Sequence, residues 1–440
     1  MIQAILTVYP VLVTGLIALT LAYALPRYFW AGLRKKPSGR FARFISAEPI
    51  PSQRSHARCP AFRVALCVLL SFALSRIAVF AVGLVGSAIR NEIPAYMGRI
   101  PRLFTQWDAD HYLGIARNGY VNETDARYHI VFYPLYPLVV RTFSHLTKGN
   151  LVASAVIVSN ACLLLSGYFL FRVAEDTYSS AIARRTVWFF MFAPAGMFFS
   201  IAYTESLFFL LTVLSVYFSR KRRFLPALLS ASLASFTRLP GVVCAVPVFY
   251  EMLRHISFRS KALRAEQRRS FLTKRVLCAF CLCLTVLSGL IGYLIVNRVV
   301  TGNAFQFLIY QREHWGQRLG TIWNTARYTI FYAFYPNVDW YRMGIWIPQS
   351  AFLLLTAYLI FSARRRLRPG DLAYAVAYYV VTVSPTMLLS GPRYLCALYA
   401  AYPALACASD RKRTRILIWT INAALFIYCA WMFTIETILL

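Results

Sequence analysis

Asp108 and Asp110 stand two residues apart in the stretch "QWDADHYLGIARNGY", Gln106 to Tyr120, beside Trp107, His111 and Tyr112. A carboxylate set against an indole at a membrane surface is held partly out of bulk water, a setting that suits a general base. Two carboxylates at this spacing also admit a divalent metal without requiring one. The plainer alternative is a helix start. Asp108 is then the N-cap and Asp110 lies in the first turn, where the positive end of the helix dipole favours acids. Acids are scarce in this chain, 16 Asp plus Glu among 440 residues, so two of them so close together carry weight.

Further candidates follow in order. "VFYPLYPLVVR" (Val131 to Arg141) packs Phe132, Tyr133 and Tyr136 around Pro134 and Pro137, giving an amphipathic helix whose aromatics suit a long isoprenoid or acyl chain at headgroup depth. "YTES" places Glu205 in a tight turn between apolar runs, "FTRLPG" places Arg238 in the next such turn, and "SGPRY" places Arg393 and Tyr394 in a third. Arg76 falls near the middle of an apolar run, where a charge costs about 2.5–3.5 kcal/mol and is by default functional or paired. Three guanidiniums converging on one point would bind a phosphate, because each presents a planar fork of donors. Snorkelling to the interface is the alternative for Arg238 and Arg393. "QREHW" (Gln311, His314, Trp315) and "YPNVDW" (Tyr335 to Trp340) carry residue types that hold sugars, with amides for hydroxyls and indole for the ring face. Interface anchoring explains the tryptophans equally well.

The elements that must position these residues are apolar. Hydrophobic residues make up 59% of the chain, charged residues 14%, and the mean hydropathy is +0.55. Soluble domains carry about 25% charged residues, so this composition predicts an all-α polytopic membrane protein. Apolar runs fall at about 4–25, 64–86, 151–172, 187–202, 205–219, 224–236, 240–254, 276–297, 345–362, 371–388, 393–408 and 416–437. They predict about 12 transmembrane helices, with prolines such as Pro194, Pro240 and Pro385 marking breaks or kinks. The first run lacks a basic segment before it and reads as an uncleaved span. Cys278, Cys281 and Cys283 lie inside a run with no nearby His and read as small buried helix residues.

The net charge of +31 is distributed by topology rather than by nucleic-acid binding. Of 47 Lys and Arg, 32 lie between alternate runs, including "RKRR" at 220–223, "RRRLR" at 364–368 and "RKRTR" at 411–415. Those connections are predicted to be cytosolic. Two long loops on the other face, 87–150 and 298–344, hold only twelve, and they contain most of the candidate residues. The expected chain is therefore a multi-pass protein of a cell membrane with its site on the non-cytosolic face. Residues 1–63 read as an additional helix with a basic linker, and 64–440 as the main transmembrane domain.

Taken in order, "QWDADHYLGIARNGY", "VFYPLYPLVVR", "YTESLFF", "FTRLPG", "HW" and "SGPRY" resemble the PIG-V-like mannosyltransferases, from about Arg76 to Tyr402. That family belongs to the GT-C class of multi-spanning glycosyltransferases, and this version looks like its bacterial members. The resemblance implies an inverting transfer of a hexose, usually mannose, from a polyprenyl-phosphate-sugar donor to a lipid-linked or cell-envelope glycan acceptor. It implies Asp108 as the base, with Asp110 the alternative, and no required cofactor. Arg76, Arg238 and Arg393 become candidates for the donor phosphate. Trp107, His111, Tyr112, Tyr133, Tyr136, Glu205, Gln311, His314, Trp315 and Tyr394 become candidates for the substrate. A transporter or flippase of lipid-linked saccharides is the competing class. It needs a polar path across the bilayer and usually shows internal repeats, which this sequence lacks.

Overall fold

Lipid offers no partner to backbone N–H and C=O groups, so apolar runs must close their hydrogen bonds within themselves. The computed structural model, which describes residues 2–33, 58–260, 263, 265–334 and 342–434, is accordingly built of helices. Among the described residues, seven helical segments are long and apolar enough to cross a membrane: Ile2–Gly32, Ala61–Ile89, Leu151–Glu175, Leu239–Ser260, Ser270–Thr301, Arg342–Arg365 and Lys412–Thr434. The other apolar runs form shorter helices. Glu205–Arg220 and Phe224–Thr237 remain whole, the run predicted at 371–388 ends its helix, Pro369–Val383, before Pro385, and the run predicted at 393–408 divides into Gly391–Cys396 and Ala401–Ala408.

The run predicted at 187–202 is broken, as Pro194 within it indicates. Its helix, Ser180–Met191, stops before Pro194, and the chain passes through a buried non-α segment to reach Glu205. Such a break exposes carbonyls that lipid cannot satisfy. Side chains from neighbouring helices satisfy them instead. Arg76 Nη1 donates to Gly196 O at 3.0 Å and to Ser200 Oγ at 2.7 Å, and Nη2 to Met191 O at 3.1 Å. Asn160 donates to Ser200 O at 3.1 Å and Asn422 to Phe192 O at 2.9 Å. A cation at the C-terminal end of Ser180–Met191 also meets the negative end of that helix dipole.

The buried positions of Ala61–Ile89 recur every three or four residues (Val64, Val68, Ser71, Ser75, Val79, Gly83, Gly86), forming one stripe toward the bundle. Small residues along it let neighbours approach closely. Gly86 lies directly under the indole of Trp431, and Gly83 under the ring of Tyr96, so neither position has room for a Cβ. Ile2–Gly32 is packed into the same bundle: Tyr9 donates to Ser350 O at 2.5 Å, Tyr28 to Val246 O at 2.8 Å, and Ser257 to Leu33 O at 2.7 Å.

Charged side chains gather at the two ends of the helices. At the basic end, Arg172 meets Glu175, Arg185 meets Asp410, Arg220 meets Asp371 and Arg368 meets Glu251. The opposite end carries the two long loops, which hold the helices Ala109–Asn118, Leu135–Ser144, Gln306–Trp315 and Ile322–Ala333. The "YPNVDW" motif lies outside the described residues.

Candidate active site

The turn before Ala109–Asn118 is wound unusually tightly. Trp107 has φ +52°, a left-handed conformation that costs a bulky L-residue about 1–3 kcal/mol. Its indole is wedged against Phe198 (ring centroids 6.0 Å apart) and Phe433 (5.9 Å), which holds the turn in place. Tyr203, fully buried, ties the same turn from the other side. Its hydroxyl donates to Gln106 O at 3.1 Å and accepts from the Asp108 N–H at 3.1 Å.

Asp108 stands at the N-cap position but makes no side-chain cap. Its carboxylate turns away to Arg393, with Oδ2 2.8 Å from Nη1. Arg393 is buried, and its Nε lies 3.1 Å from Glu205 Oε1, at an angle too poor for a hydrogen bond. The same Glu205 oxygen accepts from Arg238 Nη1 at 2.7 Å. Asp108, Arg393, Glu205 and Arg238, drawn from four separate motifs, thus form one continuous chain of contacts. Tyr394 completes it. Its hydroxyl accepts from Arg393 Nη2 at 2.9 Å, and Arg238 lies 4.5 Å above its ring.

Each member is placed by its own backbone. Glu205 opens the helix Glu205–Arg220 directly after the break. Arg238 is the extended residue that ends Phe224–Thr237. Arg393 sits in the short helix Gly391–Cys396, whose approach is fixed by the buried side chain of Gln349. That amide donates to Leu388 O and accepts from the Gly391 N–H at 2.9 Å.

The cluster is polar beyond what its members satisfy. Glu205 Oε2, Thr204 Oγ1, Ser206 Oγ and both amide atoms of Gln106 are buried without a hydrogen-bond partner among the described residues. Unpaired buried polar atoms are rare in folded proteins and are costly where they occur. The Asp108 side chain keeps about a quarter of its surface exposed, 24% against 4% for Arg393 and 1% for Glu205. The acid is therefore the member of the cluster most open to an incoming group.

His111, one turn into the same helix, is stacked on Phe132 at 4.6 Å and meets the edges of His129 (5.2 Å) and Trp315 (6.5 Å). Burial holds the His111 imidazole below its ordinary pKa, with His314 adding to the effect and Asp108 and Asp110 opposing it. His129 is lowered by burial too, with His111 adding to it. His314 is stacked on Tyr128 at 4.3 Å, so the two long loops meet through aromatic rings. Tyr112 packs edge-on against Tyr203 at 5.9 Å, beneath the acid.

Several expected members lie elsewhere. Arg76 is spent on the helix break and has no contact with the acids, because carbonyls stranded in the membrane need its donors. Tyr136 faces the core rather than lipid, bonded to Ser159 at 2.9 Å, and Tyr133 is stacked on Tyr293 at 3.9 Å. The Gln311 carbonyl caps its own helix, accepting from the Gly316 N–H and, at 3.0 Å, from the Gln317 N–H. Asp110 is exposed in the first turn of its helix. Among the described residues, no three His, Cys, Asp or Glu side chains come together as metal ligands. A Mg2+ on Asp108 and Asp110 would draw its remaining positions from water and substrate phosphate.

Sequence reasoning passed over Tyr203, Gln106, Gln349 and His129. A signal existed for the last: Gly114 sits inside a helix, and a Cβ there would come within 2.9 Å of His129 Cε1.

This constellation stands within a recognisable sequence. The profile of the mannosyltransferase (PIG-V) family matches residues 65–341. The chain belongs to that family. GPI mannosyltransferase 2 of Schizosaccharomyces pombe is 27% identical over 141 residues, covering 31% of this chain and 29% of the yeast protein. GPI mannosyltransferase pigv-1 of Caenorhabditis elegans is 31% identical over 126 residues, 24% of this chain and 18% of the worm protein. The matched segments thus span less than a third of these curated relatives. Among solved structures, ArnT from Cupriavidus metallidurans bound to undecaprenyl phosphate superposes with a TM-score of 0.45 at 12% identity, covering 84% of this chain and 76% of that one. The archaeal oligosaccharyltransferase AglB from Archaeoglobus fulgidus, in complex with an inhibitory peptide and a dolichol-phosphate, gives 0.37 at 12% identity over 76% of this chain and 51% of that one.

Proposed function

We propose that this protein transfers a hexose, most simply mannose, from a polyprenyl-phosphate-sugar donor to an acceptor hydroxyl at the membrane face that carries the two long loops. The observation that carries the reading is the Asp108–Arg393 pair. It joins an acid of the first loop to a buried cation from the far end of the chain, in a member of a mannosyltransferase family.

The chemistry follows from the parts. An acceptor hydroxyl attacks the sugar's anomeric carbon while the bond from that carbon to the phosphate oxygen breaks, with inversion. The hydroxyl proton passes to Asp108, and the electron pair of the broken bond leaves on the polyprenyl phosphate. Arg393 and Arg238 supply positive charge where that phosphate develops it, in a buried setting where charge stabilisation is strong. Before the donor arrives, their charge is met by Asp108 and Glu205. A phosphate that takes over one arm of Arg393 would leave the Asp108 carboxylate free to accept a proton. Glu205, which touches both arginines through one oxygen, keeps the two forks together during that exchange. The family relatives favour mannose as the sugar, and the loop aromatics Trp315 and His314 are the groups to contact an acceptor glycan.

The test is label transfer. Purified protein in lipid is given polyprenyl-phosphate [3H]mannose or [3H]glucose with membrane glycolipid acceptors, and the label is followed. Transfer of mannose that disappears in Asp108→Asn, with the folded yield unchanged, is the expected result. Full transfer by Asp108→Asn would remove Asp108 as the base.

A further inference from the structure

Two short segments of the site hold polar side-chain atoms that are buried and have no hydrogen-bond partner among the described residues. They are Nε2 and Oε1 of Gln106, Oγ1 of Thr204, Oε2 of Glu205 and Oγ of Ser206. The segments are fastened to each other, because Tyr203 donates to Gln106 O at 3.1 Å and the Ala202 N–H to Phe104 O at 3.3 Å. Thr204 precedes the helix Glu205–Arg220, yet its hydroxyl caps nothing there. Thr204, Glu205 and Ser206 are at most 1% exposed, so bulk water does not serve them. Atoms left in this way have lost their solvation without return, and a ligand that meets them recovers it.

Their chemistry restricts what that ligand is. Oε2 of Glu205 and Oε1 of Gln106 only accept, the Gln106 amide nitrogen only donates, and the two hydroxyls do both. A phosphate brings acceptors and negative charge, which suits neither the carboxylate oxygen nor the amide carbonyl. A set of alcohol hydroxyls, each both donor and acceptor, suits all of them. Glu205 fixes where those hydroxyls stand. Its Oε1 accepts from Arg238 Nη1 at 2.7 Å and lies 3.1 Å from Arg393 Nε, so that oxygen belongs to the cations. Its Oε2 belongs to the same carboxylate and is unclaimed.

We propose that Glu205 Oε2 accepts from the C2 hydroxyl of the donor sugar and that this contact selects the sugar. The assignment rests on the proposed transfer, because it takes the donor phosphate to be at Arg393 and Arg238. That phosphate is borne on C1. Of the two ring neighbours of C1, the ring oxygen cannot donate. The C2 hydroxyl is therefore the nearest donor that the sugar offers to a carboxylate beside its phosphate. Mannose and glucose differ only in the direction of that hydroxyl. Glu205 thus reads the position at which the two sugars diverge, and a buried acceptor left unmet by the wrong epimer is a strong means of rejection. Gln106, Thr204 and Ser206 serve the remaining ring hydroxyls. Entry is over Asp108, whose side chain is 24% exposed.

The experiment removes hydroxyls from the donor one at a time. Polyprenyl-phosphate mannose and its 2-, 3-, 4- and 6-deoxy forms displace labelled polyprenyl-phosphate mannose from the wild-type protein, an assay that needs no turnover and no variant. The 2-deoxy donor should bind about 10- to 150-fold more weakly than mannose, as loss of one hydrogen bond to a charged acceptor gives, and more weakly than the other deoxy donors. The ratio of kcat/KM for mannose over glucose is then compared between the wild type and Glu205→Gln, so that the overall rate of the variant cancels. That ratio should shrink by about tenfold or more. A largest loss at C3, C4 or C6 overturns the assignment. So does equal binding of mannose and its 2-deoxy form, the result expected if only water fills the cluster, and so does an unchanged ratio in Glu205→Gln. If the wild type shows the C2 preference in binding but transfers no sugar, the proposed transfer fails while this contact stands.

Discussion

At the basic end of the helices, Asp371 accepts from Arg220 at 2.6 Å and from the Tyr399 hydroxyl at 2.9 Å, while Arg220 also donates to Val173 O and Thr177 Oγ1. At the opposite end, Asp108 and Glu205 face Arg393 and Arg238 at comparable distances. Both groups are acid–arginine pairs among buried tyrosines, yet they are finished differently. Both Asp371 oxygens have partners and both side chains are 4% exposed. Glu205 keeps one oxygen unpaired, Gln106, Thr204 and Ser206 bring further unpaired polar atoms, and Asp108 is open at its rim. A saturated buried pair clamps helices together. An unsaturated one has donors and acceptors left for something else.

The sharpest way to break this contrast is to remove one acid from each group. Asp108→Asn should lower transfer by about 10²–10⁴-fold, the usual yield of a general base, while thermal unfolding in detergent stays where it was. Asp371→Ala should do the reverse. Stripping one partner from a buried pair costs about 3–5 kcal/mol, so the midpoint of unfolding falls while activity per folded molecule persists. Equal losses of stability in the two variants would erase the distinction between clamp and site.

A finer cut tests the ring between the two arginines. Tyr394→Phe keeps the surface under Arg238 but removes the hydroxyl that accepts from Arg393. It should cost kcat/KM about three- to tenfold, as one hydrogen bond of about 1 kcal/mol would, with no change in folded yield.

The smallest expected effect is on pH dependence. His111 and His129 have depressed pKa values through burial, so the separated loops bind more protons than the packed ones. Packing of the loops is then fully present above the ordinary histidine value of about 6.5 and is lost as pH falls through the lowered one. The protection of Ala109–Asn118 against hydrogen exchange, taken relative to the intrinsic exchange rate at each pH, should fall on acidification in the wild type and less so in His111→Phe. Identical acid profiles would show that the imidazole stack does not hold the loops together.

The sequence disclosed the site in pieces. Trp107–Asp108, Glu205, Arg238 and Arg393 each occupy a polar turn between apolar runs, and motif order was enough to nominate them. What it withheld was their pairing, because Asp108 and Arg393 are 285 residues apart and no local spacing encodes that contact. Hydropathy found the apolar runs, and Pro194 marked a break in one of them, but a run's length does not say where its helix stops or what serves the carbonyls left open. Arg76 shows the same limit. Its cost in the membrane was plain, but the carbonyls it serves became visible only when the chain was seen to break at Phe192–Thr204. Tyr136 read as a membrane-facing ring because the motif is amphipathic, and only the packing of its helix turned it inward.

The break after Met191 also bears on how the protein is made. Arg76 and Asn160, which serve its stranded carbonyls, both come earlier in the chain and leave the ribosome before the segment that needs them. Ser180–Met191, at 12 residues, is too short to cross a bilayer unaided. Donors from segments that precede it in the chain stand at its open end, and Asn422 of Lys412–Thr434 adds its bond only after that later helix is made. A chain halted before Asn422 would hold the half-helix in place with the Phe192 carbonyl still open, a stage at which a membrane chaperone or quality-control protease could tell an unfinished molecule from a finished one.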